Sequence, residues 1–487
     1  MNKQLKRVSV VVLAMFVALL VSTTYITGVQ ADSLRADPRN SRAILQSYSA
    51  QRGAIVVGGK AVAESVPSKD QYKFLRTYTD GALYAPITGY YTLGEGATGI
   101  ENALNKQLSG KSNEQFFDQI NSLLTGKDPE GASVNTTIDP AVQKVAYDAL
   151  GNNTGAVVAI EPSTGKILAM VSKGSYDPNQ LASHDRASVL KSYDTLLHDS
   201  SQPLINRAIA GDLYFPGSTF KLVVASAAFE SGKYTKDSKL PNPATFTLTG
   251  TSTKINNAEG GACGGGSTVT IETALVDSCN IPFAELGEKL GYDAINVQAK
   301  KYGFDSAVSI PQTATPSVFP ATGGDDATLE LQSFGQGSVR ETPLQVAMTT
   351  ATIANGGKEM SPTLIDTIQN PDLSYLEKFK AKSLGSPISE STASTLTTLM
   401  TEVVAKGTGT NARISGVDVA GKTGTAQTGE SASDPYTLWF TGFAPAANPK
   451  VAVAVVVGNG GGQGQSLVGN TAAAPIAKQV MEAVLNK

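Results

Sequence analysis

Three short motifs, spaced along one chain, could assemble a nucleophile, two ammonium groups and a row of hydroxyls. The first is Ser218-Thr219-Phe220-Lys221, preceded by Phe215-Pro216-Gly217 and followed by the apolar run Leu222–Phe229. That context predicts a turn feeding a buried helix, with Ser218 near the helix N-terminus. At i and i+3 the hydroxyl and the ammonium share one helix face and come within hydrogen-bond reach. The helix N-terminus offers free N–H groups and a partial positive charge to a developing oxyanion. A lysine held among apolar residues loses affinity for its proton and can act as the base for the serine. Taken alone, Ser-x-x-Lys reads as a capping serine and a snorkelling lysine. The chain has two others, Ser163–Lys166 in a turn and Ser188–Lys191 in a polar stretch, and both are expected to be structural or solvent-facing.

Two further motifs change that reading. Ser278-Cys279-Asn280 follows the helical run Ile271–Val276. A Ser and an Asn flanking one residue can aim a hydroxyl and an amide into the same cleft, the first to relay a proton and the second to hold a peptide group. The pattern alone is weak, because Ser133-Val134-Asn135 also matches. Lys422-Thr423-Gly424-Thr425 ends a strand-like segment, Val419–Thr425. A cation and two hydroxyls on an edge strand make a receptor for a carboxylate, and Gly424 admits close approach of substrate to the backbone. Cys279 lies inside the second motif and Cys263 in the glycine-rich loop 260–266. Outside the cytoplasm two such cysteines are either joined or free thiols, and the sequence leaves both open. His184 and His198 fall in a polar stretch and are expected at the surface, which removes a Ser-His-Asp triad from consideration.

The elements that must position these residues are legible in outline. Asp139-Pro140 reads as an N-cap with Pro at the first helical position, opening a helix to about Leu150. Gly155–Ile160 and Lys166–Ser172 are apolar runs joined by a turn, a hairpin. Near the C-terminus Thr437–Phe443 and Val451–Gly458 read as strands, and Ala472–Leu485 as a helix. Strands at both ends with helices between predict an α/β (α+β) fold: one central antiparallel sheet, closed from both termini and flanked by helices. The segment from Asp32 to about Gly131 is polar and rich in Gly and Tyr, with turn signals such as Val57-Gly58-Gly59-Lys60, and reads as a small α/β pedestal. The expected division is an anchor over 1–31, a pedestal over 32–150 and a catalytic domain over 151–487.

Bulk properties exclude other classes. The net charge of -3 gives no electrostatic case for nucleic acid. With two histidines and two cysteines, a metal site would need mostly carboxylates, and neither metal nor cofactor is expected. Lys3, Lys6 and Arg7 precede an uncharged run, Val8–Val29, long enough to span a bilayer with the following chain outside the cytoplasm. Val29-Gln30-Ala31 also resembles a small-residue cleavage site, so a removed signal peptide is the competing reading. Both put the folded portion beyond the membrane.

The ordered set Ser-x-x-Lys, Ser-x-Asn, Lys-Thr-Gly resembles that of the penicillin-recognising serine acyltransferases. Arg52-Gly53-Ala54-Ile55 with Gly89-Tyr90-Tyr91 resembles the pedestal of class B penicillin-binding proteins of the actinobacterial type. Gly335-Gln336-Gly337, Thr342-Pro343-Leu344-Gln345 and Trp439-Phe440-Thr441-Gly442-Phe443 resemble their transpeptidase domain, and the likeness covers about 35–487. The resemblance implies a DD-transpeptidase that cross-links D-Ala-D-Ala stem peptides and is acylated by β-lactams. It implies Ser218 as nucleophile, Lys221 as base, Ser278 with Lys422 as proton return, and Asn280, Thr423, Gly424 and Thr425 as substrate contacts. It also implies a membrane location with the catalytic domain on the extracytoplasmic side. A polytopic glycan polymerase is the implied partner, because the pedestal lacks the acidic motifs of a glycosyltransferase. A DD-carboxypeptidase and a non-catalytic scaffold are the alternatives. A β-lactamase would need a second base, and no convincing counterpart is present.

Overall fold

The computed structural model describes residues 3–30, 50–92, 96–115, 130–211, 213–258, 260–320, 324–428 and 433–486. Lys3–Gly28 is a continuous helix with no buried residue, long and apolar enough to cross a membrane. Its length is about 39 Å at 1.5 Å per residue. Ala31 of the cleavage-like triplet lies outside the described residues.

The central sheet has the order Ala420–Gln427, Tyr436–Ala444, Val451–Val457, Gly155–Ile160, Ile167–Lys173, and every pairing is antiparallel. Its middle strand, Val-Ala-Val-Ala-Val-Val-Val, is buried throughout because both faces are covered. Val453, Val455 and Val457 join one core with Val142, Ala146 and Val480 from the helices Pro140–Leu150 and Ala474–Leu485. Ala454 and Val456 join the other core with Leu222, Phe220 and Ala347 from the helical side. The side-chain period of two thus divides one strand between two hydrophobic interiors. Asp139 caps its helix as expected, its carboxylate accepting from the N–H groups of Ala141 (2.9 Å) and Val142 (3.1 Å).

The second sheet departs from the expected division. Its order is Tyr375–Lys378, Ile365–Gln369, Ser133–Thr136, Ile55–Val57, Lys60–Pro67, Phe74–Tyr78. Two of its strands therefore come from the C-terminal half of the chain. Ile365–Gln369 pairs antiparallel with Ser133–Thr136, a long-range pairing that local pattern does not encode. Helix Pro140–Leu150, assigned to the pedestal from sequence, instead packs on the central sheet. Ile55–Val57 turns into Lys60–Pro67 through Gly58 and Gly59, both at positive φ (55° and 79°), the conformation that a two-residue hairpin loop requires. Under this sheet Glu101 is fully buried between two cations, 2.7 Å from Arg52 Nη2 and 2.6 Å from Arg76 Nε. Arg52 also stacks 3.9 Å from the Tyr91 ring centroid, which ties together the two pedestal segments singled out from sequence.

Candidate active site

Ser218 lies in a short 3-10 turn, Gly217–Thr219, and the α-helix begins only at Lys221. The turn is clamped from three sides. Trp439 Nε1 donates to Phe215 O (2.9 Å), Gly217 N donates to Gly335 O (3.0 Å), and Thr219 Oγ1 donates to Pro216 O (2.8 Å). Gly335 has φ 79°, and a Cβ there would sit 1.9 Å from Gly217 O, so no other residue fits behind Ser218. A Cβ at Gly424 would lie 2.9 Å from Pro216 O and 3.0 Å from Trp439 Cβ. The sequence reading gave this glycine to substrate access; the structure gives it to close packing of the Ser218 turn against its strand.

Lys221 and Lys422 are both fully buried and converge on the Ser278–Asn280 turn. Lys221 Nζ donates to Ser278 O (2.6 Å) and Asn280 Oδ1 (2.9 Å). Lys422 Nζ donates to Ser278 Oγ (2.7 Å) and Thr423 O (3.1 Å). The direct Ser218–Lys221 hydrogen bond expected from helical spacing is not among these bonds. The ammonium instead makes charge-assisted hydrogen bonds to a carbonyl and an amide oxygen of the Ser278–Asn280 turn. Burial, reinforced by the neighbouring Lys422, holds the Lys221 ammonium well below the usual lysine range. Burial alone brings Lys422 down to about 7. Their hydrogen-bond partners are neutral oxygens, which replace the lost hydration only in part.

Ser278 takes a left-handed backbone (φ 58°), which turns its carbonyl to one lysine and its hydroxyl to the other. For a non-glycine residue this conformation costs about 1–2 kcal/mol. Three features hold it. Cys263 and Cys279 form a disulfide with Cα atoms 5.7 Å apart, which resolves the question that the sequence left open. Asn257 Oδ1 accepts from the N–H groups of Asn280 (2.9 Å) and Ile281 (3.1 Å). Asn242 braces the cysteine loop, its Nδ2 donating to Cys263 O (2.6 Å) and Gly266 O (2.9 Å).

Thr423 and Thr425, expected from the sequence to receive a carboxylate, sit on the edge strand of the central sheet. Thr423 Oγ1 is 2.8 Å from Thr408 Oγ1, and Thr425 Oγ1 accepts from Gly469 N (3.2 Å). Ser218, Ser278, Asn280, Thr423 and Thr425 line one cleft of about 630 Å³, which Cys263 and Lys406 also border. Sequence reasoning missed Asn257, Thr408 and Gly469, since single residues of these types carry no motif. It also misplaced His184, whose side chain is only 10% exposed and bonds Asp70 Oδ2 at 2.5 Å. His198 is exposed, as expected. The other Ser-x-x-Lys pairs are peripheral: Ser163 is an exposed turn residue and Ser188 an exposed helix residue.

Comparison with known proteins agrees with this geometry. The Penicillin binding protein transpeptidase domain family matches residues 155–482, and the Penicillin binding protein A dimerisation domain family matches residues 52–134. The chain is 41% identical to the peptidoglycan D,D-transpeptidase PbpA of Mycolicibacterium smegmatis, covering 100% of both chains. It is 42% identical to PbpA of Mycobacterium tuberculosis, over 100% of this chain and 99% of that one. The structure superposes on the ceftriaxone acyl-enzyme complex of M. tuberculosis penicillin-binding protein A with a TM-score of 0.87, at 40% identity, covering 91% of this chain and 100% of that one. The penicillin G acyl-enzyme complex of the same protein gives 0.84 at 39% identity, covering 90% and 100%. The chain therefore belongs to the penicillin-binding protein transpeptidase family.

Proposed function

We propose that this chain is a peptidoglycan D,D-transpeptidase that cross-links stem peptides through a Ser218 acyl-enzyme and is acylated there by β-lactams. The observation that carries the residue roles is the convergence of two fully buried lysines on the Ser278–Asn280 turn beside Ser218, in one cleft. Ser218 Oγ attacks the penultimate D-Ala carbonyl carbon, and its proton passes to Lys221, whose burial favours the neutral amine. The oxyanion is held by backbone N–H groups of Ser218 and Thr425. The peptide C–N bond then breaks, and a proton returns to the departing D-Ala amine through the Ser278 hydroxyl, with Lys422 behind it at 2.7 Å. Asn280 holds the donor's amide, and Thr423 and Thr425 hold its terminal carboxylate. An amine from a neighbouring strand attacks the ester and regenerates Ser218. A β-lactam follows the same first step, but its leaving nitrogen stays tethered.

Lys3–Gly28 anchors the protein, with Lys3, Lys6 and Arg7 on the cytoplasmic side and the cleft outside. Residues 32–150 and 151–487 divide as pedestal and transpeptidase domain, with the capped helix and two pedestal strands crossing that boundary. A polytopic glycan polymerase supplies the strands that this chain cross-links. Incubation with a fluorescent penicillin, followed by mass spectrometry of the digest, tests the reading. Label on Ser218 that persists for minutes is expected; rapid turnover indicates a hydrolase, and no label refutes the assignment.

A further inference from the structure

We propose that Lys406 is the specificity-determining cation of this cleft, selecting acyl donors that carry a free terminal carboxylate. The inference rests on the transpeptidase reading and adds to it a residue outside the three motifs. An anionic donor needs a counter-charge, and the two motif lysines supply one poorly. Both are fully buried, and both already donate their protons to the Ser278–Asn280 turn or to the strand itself. Lys406 borders the same cleft as Thr423 and Thr425, and its side chain is 65% exposed.

Its backbone is fixed at that place. Lys406 ends the helix Glu390–Ala405, its N–H donating to Glu402 O (2.9 Å), and Gly407 N donates to Glu402 O and Val403 O (3.1 Å each). A Cβ at Gly407 would lie 2.5 Å from Val276 O, so the segment packs flush against the helix that leads into Ser278. Thr408 N donates to Val276 O (3.3 Å), and its hydroxyl meets Thr423 Oγ1. The backbone of Lys406 is therefore two positions along the chain from Thr408, whose hydroxyl meets that of Thr423. Lys406 is paired with Glu402, one helical turn back, at 3.1 Å, and a donor carboxylate would compete with Glu402 for the ammonium. Asp277 also borders the cleft.

The test compares acylation of the intact protein by benzylpenicillin and by its uncharged methyl ester. Lys406→Gln should lower the acid-to-ester rate ratio about 1.4-fold to fivefold, the range of a solvent-exposed ion pair. Glu402→Gln, which frees the ammonium, should move the ratio the other way. Raising the salt from about 0.05 to about 0.5 M should shrink the wild-type preference, since screening shortens with ionic strength. An unchanged ratio in Lys406→Gln, or equal losses for acid and ester, overturns the proposal. Failure of both compounds to label wild-type Ser218 would instead overturn the transpeptidase reading.

Discussion

Opening the Cys263–Cys279 cross-link while leaving every motif side chain in place should both destabilise the protein and slow its chemistry. In Cys263→Ser/Cys279→Ala the half-buried position receives a hydroxyl and the fully buried one a small apolar group. The bridge spans 16 positions. Freeing a loop of that size returns about 3 kcal/mol of chain entropy to the unfolded state. Over the roughly 330 residues between 155 and 482, unfolding entropy near 2.1 cal/mol/K per residue gives about 0.7 kcal/mol/K, so Tm should fall by about 4 °C. The second effect is local. Ser278 holds its left-handed backbone next to Cys279, and both lysines bond to that turn. If relaxation of the turn removes about 1.4 kcal/mol of preorganisation, acylation slows about tenfold. Calorimetric melts and stopped-flow acylation with a fluorescent penicillin read the two quantities, and wild type in reductant should track the variant. A variant with unchanged Tm and unchanged acylation rate would show that neither the cross-link nor the turn matters as argued.

Acylation should gain as Lys221 gives up its proton and lose as Lys422, brought down to about 7, gives up its own, the two titrating as a coupled pair. Between about 7 and about 10.4 the unfolded chain holds a proton at residue 422 that the folded protein does not, so stability rises with pH across that window. Lys422→Met should lose this part of the slope in denaturant titrations. Thr408→Val removes the partner of the Thr423 hydroxyl and should raise the KM for a D-Ala-D-Ala donor about threefold to tenfold with the melting temperature nearly kept, the size of one hydrogen bond. Gly335→Ala forces a Cβ to within 1.9 Å of Gly217 O and should cut penicillin labelling more than about a hundredfold, the scale of a misplaced reacting group.

Much of this was legible in the residues themselves. The ordered motifs, the N-cap at Asp139 and the unbroken apolar run of the Val451–Val457 strand are local signals, each set by side-chain chemistry over a few positions. They were enough to predict a central antiparallel sheet and a serine nucleophile near two lysines. The tertiary structure decided what depends on atoms far apart in sequence. It brought Ile365–Gln369 into the pedestal sheet beside Ser133–Thr136, and it joined Cys263 to Cys279. It set Lys221 against a turn 57 positions downstream. It showed that Gly424 and Gly335 leave no room for a Cβ beside the Ser218 turn. Spacing along a helix states which groups can meet; which ones do meet is set by competition for hydrogen bonds inside a dry interior, and that competition involves the whole fold.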